Sequence, residues 1–206
     1  MSKQQDPRPN QAAEPAALYA AKAAPRRYLT PEGKPEFDLT EIINGREIVA
    51  PSPFNPHQDL IAYIFSEMNS HVRRHALGKV KISPLDVIFE EKINVLQPDF
   101  LFIRKENMGI VQDWIRGVPD LVGEVVSKSS AKLDMGEKKA IYERYGVPEY
   151  WLINPLVPQA TVFALKAGQY TVHAEAGEHG PLQSQVLPGF TLEAAELWAE
   201  YAGRMG

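Results

Sequence analysis

Asp99 and Glu124 are carboxylates set inside otherwise apolar segments, Pro98-Asp99-Phe100-Leu101-Phe102-Ile103 and Leu121-Val122-Gly123-Glu124-Val125-Val126. Runs that are apolar at odd and even positions alike suit strands buried on both faces. A carboxylate in such a strand loses much of its hydration unless a cation compensates it. Lys138 is the candidate cation: it lies four residues after Asp134 and four before Tyr142, so the three share one face of a helix. Two carboxylates on consecutive strands with a lysine nearby suit metal-assisted hydrolysis of a phosphodiester. Hard oxygen ligands select Mg²⁺ or Mn²⁺. Such an ion polarises a phosphoryl oxygen and lowers the pKa of a bound water, while an ammonium orients that water or neutralises developing charge. The backbone carbonyl of Val125, or that of Val126, can supply a further ligand.

The elements that must position these residues are readable from periodicity. Leu39 to Ala50 predicts a hairpin turning at Asn44-Gly45, and Pro51, Pro53 and Pro56 impose an extended loop after it. Leu60, Ile61, Ile64, Phe65, Met68 and Val72 recur at helical spacing, predicting a helix from His57 to about His75 that ends at Gly78. Strands are predicted at Lys79–Phe89, broken or bulged at Pro84, at Val95–Ile103 and at Leu121–Ser127. A helix over Asp134–Tyr145 is stopped by Gly146 and Pro148. Strands follow at Glu149–Asn154, Ala160–Leu165 and Tyr170–His173, and then a last helix with Thr191 as its N-cap. The order predicts a mixed α/β domain around a central sheet.

Composition narrows the classes. The chain has 206 residues, suiting one domain, and 44% hydrophobic residues, enough for a core. Residues 1–27, rich in Ala, Pro, Gln and charge, read as a disordered or weakly helical tail before a domain over 28–206. With no cysteine, disulfides, thiolate nucleophiles and Cys-based zinc sites are excluded, which fits a reducing, cytoplasmic setting. No apolar run approaches the ~20 residues that span a bilayer, and Lys22 interrupts the short apolar stretch from Ala16 to Ala21, so neither a membrane span nor a secretory leader is expected. A net charge of −4 places any DNA contact on a local basic patch.

Pro98-Asp99 followed by Glu124-Val125-Val126 resembles the PD-(D/E)XK nuclease pattern. Several ordered segments are similar to the Uma family within it: Glu41-Ile42-Ile43-Asn44-Gly45, the Pro-rich loop ending in His57, Pro84-Leu85-Asp86-Val87, Gln97-Pro98-Asp99, Leu121 to Ser127, Lys138 to Tyr142, and Gly146 to Pro155. The resemblance spans roughly residues 28–200. It implies a restriction-endonuclease-like core, Asp99 and Glu124 as metal ligands, and Glu41 as an additional acid. The general pattern expects a lysine two residues after the glutamate, where this chain has Val126; the Uma pattern places it on the next helix, which Lys138 matches. The activity expected is a Mg²⁺- or Mn²⁺-dependent endonuclease acting on DNA. The alternatives are a non-catalytic nucleic-acid-binding or interaction module on the same fold, and hydrolysis of another phosphoester. A homodimer would suit cleavage of both strands.

Blander readings stand beside these. Asp99 suits a strand entry after Pro98, Glu124 a buried pairing with a basic residue, and Lys138 a surface pair with Asp134, worth ~0.2–0.5 kcal/mol. Lys139, ~100° around the helix, is read as solvent-facing. Glu41 is either a site acid or a hairpin surface residue. His57 is read as capping or orienting the first helix, or as reaching the site, and Asp86 as ending a bulged strand or approaching the metal. His71 and His75 have the i, i+4 spacing of a zinc pair, but Arg73 and Arg74 lie between them and no further ligand completes a set. With Lys79 and Lys81 they form a modest basic patch, read as a solvated face or as a contact for phosphates. The lysine- and serine-rich stretch from Lys128 to Lys139 is the better candidate for following a nucleic-acid backbone. Tyr142, Tyr145, Tyr150 and Trp151 are read as core.

Overall fold

The computed structural model describes residues 40–49 and 53–203, so the tail read over residues 1–27 lies outside the described residues. Asn44 and Gly45 take φ values of 51° and 76°. A two-residue hairpin turn of this type needs positive φ at both positions, and the turn joins β1 (Thr40–Ile43) to β2 (Arg46–Val49) as predicted. The first helix, α1 (Asn55–Arg74), carries Pro56 where a missing N–H costs nothing. It buries Leu60, Ile61, Ile64, Met68 and Val72 on one face. It stops earlier than Gly78: Ala76 takes the left-handed conformation, with φ 53°. Gly78 instead opens the next strand, where a Cβ would lie 2.0 Å from the Ile103 carbonyl oxygen.

The break at Pro84 separates β3 (Gly78–Ile82) from β4 (Val87–Glu90). The single strand expected over Val95–Ile103 is two, β5 (Asn94–Leu96) and β6 (Phe100–Arg104). Gln97-Pro98-Asp99 interrupts the run, and Pro98 cannot donate to a ladder. Lys105–Ile110 forms a 3₁₀ turn, followed by β7 (Ile115–Arg116) and β8 (Leu121–Val125). The helix expected from Asp134 opens as a π-helical turn, Leu133–Lys138, before α2 (Lys139–Tyr145). Then come β9 (Glu149–Asn154), β10 (Gln159–Lys166), β11 (Gln169–Ala176), β12 (Pro181–Gln183), β13 (Thr191–Glu193) and α3 (Ala194–Ala202). Thr191 is therefore not a helix cap. It opens β13, which pairs with β12, and α3 starts after Glu193 without a side-chain cap.

The fold is mixed α/β, but its strands form more than one central sheet. A six-stranded sheet runs β11-β10-β9-β8-β6-β3, and a five-stranded sheet runs β2-β1-β5-β4-β7. The N-terminal hairpin is thus part of the second sheet, through the pairing of β1 with β5. Alternate residues of β6 and β8 serve two different cores. Phe100, Phe102, Leu121 and Val125 pack with Leu60, Ile64 and Leu197 of α1 and α3. Leu101, Ile103 and Val122 pack with Val87, Phe89 and Leu96 of the second sheet and with Ile141 and Tyr142 of α2. The six-stranded sheet is therefore covered on both faces, as the continuous apolar runs require.

The β6–β8 register places the two anomalous carboxylates. Phe100 pairs with Gly123 and Leu101 with Val122, and one further step sets Asp99 opposite Glu124. That register depends on Gly123, because a Cβ there would sit 2.0 Å from Cζ of the fully buried Phe100 ring. Gly123→Ala should destabilise the protein by about 1–3 kcal/mol, the usual range for overpacking; the midpoint of urea unfolding checks this.

Candidate active site

Glu124 projects from the β8 face that meets α2, and its pairing partner on β9 is Leu152. Lys138, the last residue of the π-turn, brings its Nζ 3.2 Å from Glu124 Oε1, 3.0 Å from Glu41 Oε1 and 3.7 Å from Asp134 Oδ1. All four side chains are buried. Tyr142, one turn further along, donates its hydroxyl to Glu124 Oε1 at 2.6 Å. The spacing of Asp134, Lys138 and Tyr142 therefore converges as the helix face suggested.

Glu41 reaches Lys138 from the other sheet. Its Oε1 accepts the Gln97 backbone N–H at 2.7 Å, and the Gln97 side chain donates to Asp86 Oδ1 at 2.7 Å. Asp86 thus supports Gln97, and Gln97 holds Glu41. Arg46 pairs with Glu137, tying the hairpin to the π-turn.

Asp99 ends the Gln97-Pro98-Asp99 segment that joins β5 to β6. Its Oδ2 accepts the Val125 N–H at 2.7 Å, and His57 Nε2 is 3.5 Å from the same oxygen. His57 Nε2 also lies 2.9 Å from the Val125 carbonyl oxygen, to which it donates. Of the two carbonyls considered in the sequence, Val125's faces this group. The Val126 N–H donates to Ile153 at 2.8 Å, and the Val126 side chain packs in the core. Val126 cannot replace the lysine of the general pattern, and Lys138 brings an ammonium to Glu124 from another element.

Four carboxylates, Glu41, Asp99, Glu124 and Asp134, surround one ammonium. Burial alone would lower the Lys138 pKa, but Glu124, Glu41, Asp134 and Asp99 outweigh it and hold the ammonium well above its usual range. Lys138 is therefore a permanent cation. Burial pushes the Glu124 carboxyl well up; Lys138 opposes this, and Asp134, Asp99 and Glu41 add to it. Burial likewise raises Asp134 to about 6, against Lys138 and a hydrogen bond from Ser130. Asp134 Oδ1 is buried without a hydrogen-bond partner among the described residues. Burial lowers His57, but hydrogen bonding and charge from Asp99 and the Val125 carbonyl raise it overall. Tyr142, pushed well above 10 first by burial and then by Glu124, stays protonated and keeps donating.

The structure brings Asp99, Glu124, Lys138, Glu41 and the Val125 carbonyl to one end of β8. His57, for which the sequence leaves both a helix-orienting and a site role open, joins them; its place at the start of α1 carries no periodic signal of that contact. Among the described residues no three His, Asp or Glu side chains already form a metal-binding group. His71 Nε2 contacts the Pro188 carbonyl at 3.1 Å, its ring packs on Phe190, and among the described residues no carboxylate or further histidine completes a metal-binding group with it and His75. Lys139 is not simply solvated: its ammonium sits 4.4 Å above the Phe163 ring, because β10 brings that ring under α2. Tyr142, Tyr150 and Trp151 are fully buried, as expected of core residues.

The architecture is that of a restriction-endonuclease-like fold. It is similar to a crystal structure described as "a putative nuclease belonging to DUF820" from Anabaena variabilis ATCC 29413, at 18% identity and a TM-score of 0.65, covering 79% of this chain and 90% of that one. The sequence model of the Uma2 family, described as "Putative restriction endonuclease", matches residues 28–195. The chain belongs to that family. No curated protein matches it, and no helix among the described residues is long and apolar enough to cross a membrane.

The Asp134 shift carries a pH signature. A carboxyl whose pKa is raised on folding, from 3.8 to about 6, binds its proton more tightly in the native state. Its contribution therefore favours folding below 3.8 and is lost as pH rises towards about 6. In the presence of chelator, Asp134→Asn should gain stability relative to wild type across that interval, by about 3 kcal/mol at most. Denaturant titrations at several pH values measure the difference.

Proposed function

We propose that this chain is a Mg²⁺- or Mn²⁺-dependent endonuclease hydrolysing DNA phosphodiester bonds. The observation that carries the reading is the grouping of Asp99, Glu124 and the Val125 carbonyl around one end of β8, where Glu41, Glu124 and Asp134 face the Lys138 ammonium and Asp99 faces His57. The donor set fits a hard divalent ion: it is rich in carboxylate oxygen, carries surplus negative charge, and includes a buried carboxylate oxygen, Asp134 Oδ1, without a hydrogen-bond partner among the described residues. Asp99, Glu124 and the Val125 carbonyl would hold the ion, which when bound supplies polarisation of the phosphoryl oxygen.

The remaining roles follow from the chain itself. Lys138 stays protonated, so it serves as a donor that stabilises charge developing on the phosphate or orients water, and not as a base. Glu41 assists by positioning that ammonium at 3.0 Å. Tyr142 orients Glu124. The exposed Lys128 and Lys132, beside the site, supply contacts to the nucleic-acid backbone. A homodimer would present two such sites to a duplex, and a chain without cysteine suits a cytoplasmic location.

A second reading has its own support. Glu124 Oε1 is already bonded by both Lys138 and Tyr142, so this half of the site is internally satisfied without any ion. That favours a non-catalytic nucleic-acid-binding module. Titration with Mn²⁺ separates the two, since no binding at millimolar concentration selects the module.

On supercoiled plasmid DNA with Mg²⁺ or Mn²⁺, Asp99→Ala and Glu124→Ala should abolish nicking while circular dichroism reports an intact fold. Cleavage unchanged in both variants would sink the nuclease reading, and a panel of RNA and small phosphoesters tests the substrate class. Tyr142→Phe, which removes a partner of a proposed ligand, should weaken Mn²⁺ binding roughly 10–100-fold by calorimetry.

A further inference from the structure

We propose that His57 is a side-chain ligand of the divalent ion, binding through Nε2 beside Asp99 and the Val125 carbonyl, and that it biases the site towards Mn²⁺ over Mg²⁺. This rests on the metal-dependent reading above. Two oxygens from different strands converge on one ring nitrogen: the Val125 carbonyl at 2.9 Å and Asp99 Oδ2 at 3.5 Å. Adjacent ligands on an octahedral ion with bonds of ~2.1 Å lie ~3 Å apart. Both separations are close to that spacing, so small shifts suffice to place an ion among the three atoms.

The surroundings of the ring support the same role. Lys138 forms its ion pairs with Glu41, Glu124 and Asp134, while Asp99 faces His57. His57 Nδ1 is buried without a hydrogen-bond partner among the described residues. Binding through Nε2 would open the bond to Val125, turn the Nε2 lone pair to the ion and place the ring proton on Nδ1. An imidazole among oxygen ligands gains more from a transition metal than from Mg²⁺, which prefers oxygen and gives up water reluctantly.

The test uses the full chain with Mn²⁺ alone. Pulsed electron paramagnetic resonance of the Mn²⁺-loaded protein should detect the ¹⁴N coupling of a coordinated imidazole. A variant retaining His57 as its only histidine, with His71, His75, His173 and His179 all changed to Gln, should keep it. His57→Gln should lose it and weaken Mn²⁺ binding about 10-fold or more, with a smaller loss for Mg²⁺. Mn²⁺ bound in an Asp99-dependent manner without ¹⁴N coupling overturns the role of His57 and leaves the metal reading standing. Coupling that survives in His57→Gln, or is lost from the His57-only variant, also overturns it. If the wild-type protein binds no Mn²⁺, both fall. Should His57→Gln fail to fold, the His57-only variant still decides.

Discussion

A buried ammonium is the point on which the site is hung. Lys138 loses its hydration on entering the protein, and recovers the loss only because carboxylates approach from two sheets and from its own turn. Glu41 arrives from β1, Glu124 from β8, and Asp134 from the first turn of the same element. The lysine compensates the burial of these acids, and the acids together compensate the burial of the lysine. The interdependence explains why an irregular π-turn persists at this place. It lets Asp134 and Lys138 turn inward together while Tyr142, in the regular helix that follows, still reaches Glu124.

The two sheets divide the labour. The six-stranded sheet supplies Asp99, Glu124 and the Val125 carbonyl at one end of adjacent strands, with α1 behind one face and α2 in front of the other. The five-stranded sheet supplies only Glu41, but backs it with Gln97 and Asp86. Gly123 matters to this arrangement although it carries no side chain, since the space a side chain would take is where Phe100 lies. The packing of that one aromatic ring fixes which residues face each other across β6 and β8.

Much of this was legible in the chain, and the gaps have physical causes. Asp99 and Glu124 stood out because charge in a two-faced apolar run demands compensation, and Lys138 because helical spacing put it on a face with Asp134 and Tyr142. The hairpin followed from Asn44-Gly45, where both residues must take positive φ. Glu41 entered only through family resemblance, since a contact between residues on different sheets leaves no local period. The run from Val95 to Ile103 is equally apolar on both sides of Pro98, so pattern alone could not tell that its halves join separate sheets. Thr191 had the right chemistry for a cap, but pairing with β12 took it first. The contact of His57 with Val125 leaves no sequence signal, because its partner is a backbone carbonyl, an acceptor that every residue carries.

The crossover Gln97-Pro98-Asp99 has a mechanical consequence. In three residues it anchors Glu41 through the Gln97 N–H and carries Asp99 to Val125. The seam between the sheets therefore runs through the site, with a short, proline-stiffened tether across it. Rocking one sheet against the other would pivot about that tether and pull Glu41 away from Glu124, with the Lys138 ammonium left to follow one or the other. The alignment of the sheets and the charge balance at Lys138 therefore share one hinge, the Gln97-Pro98-Asp99 segment.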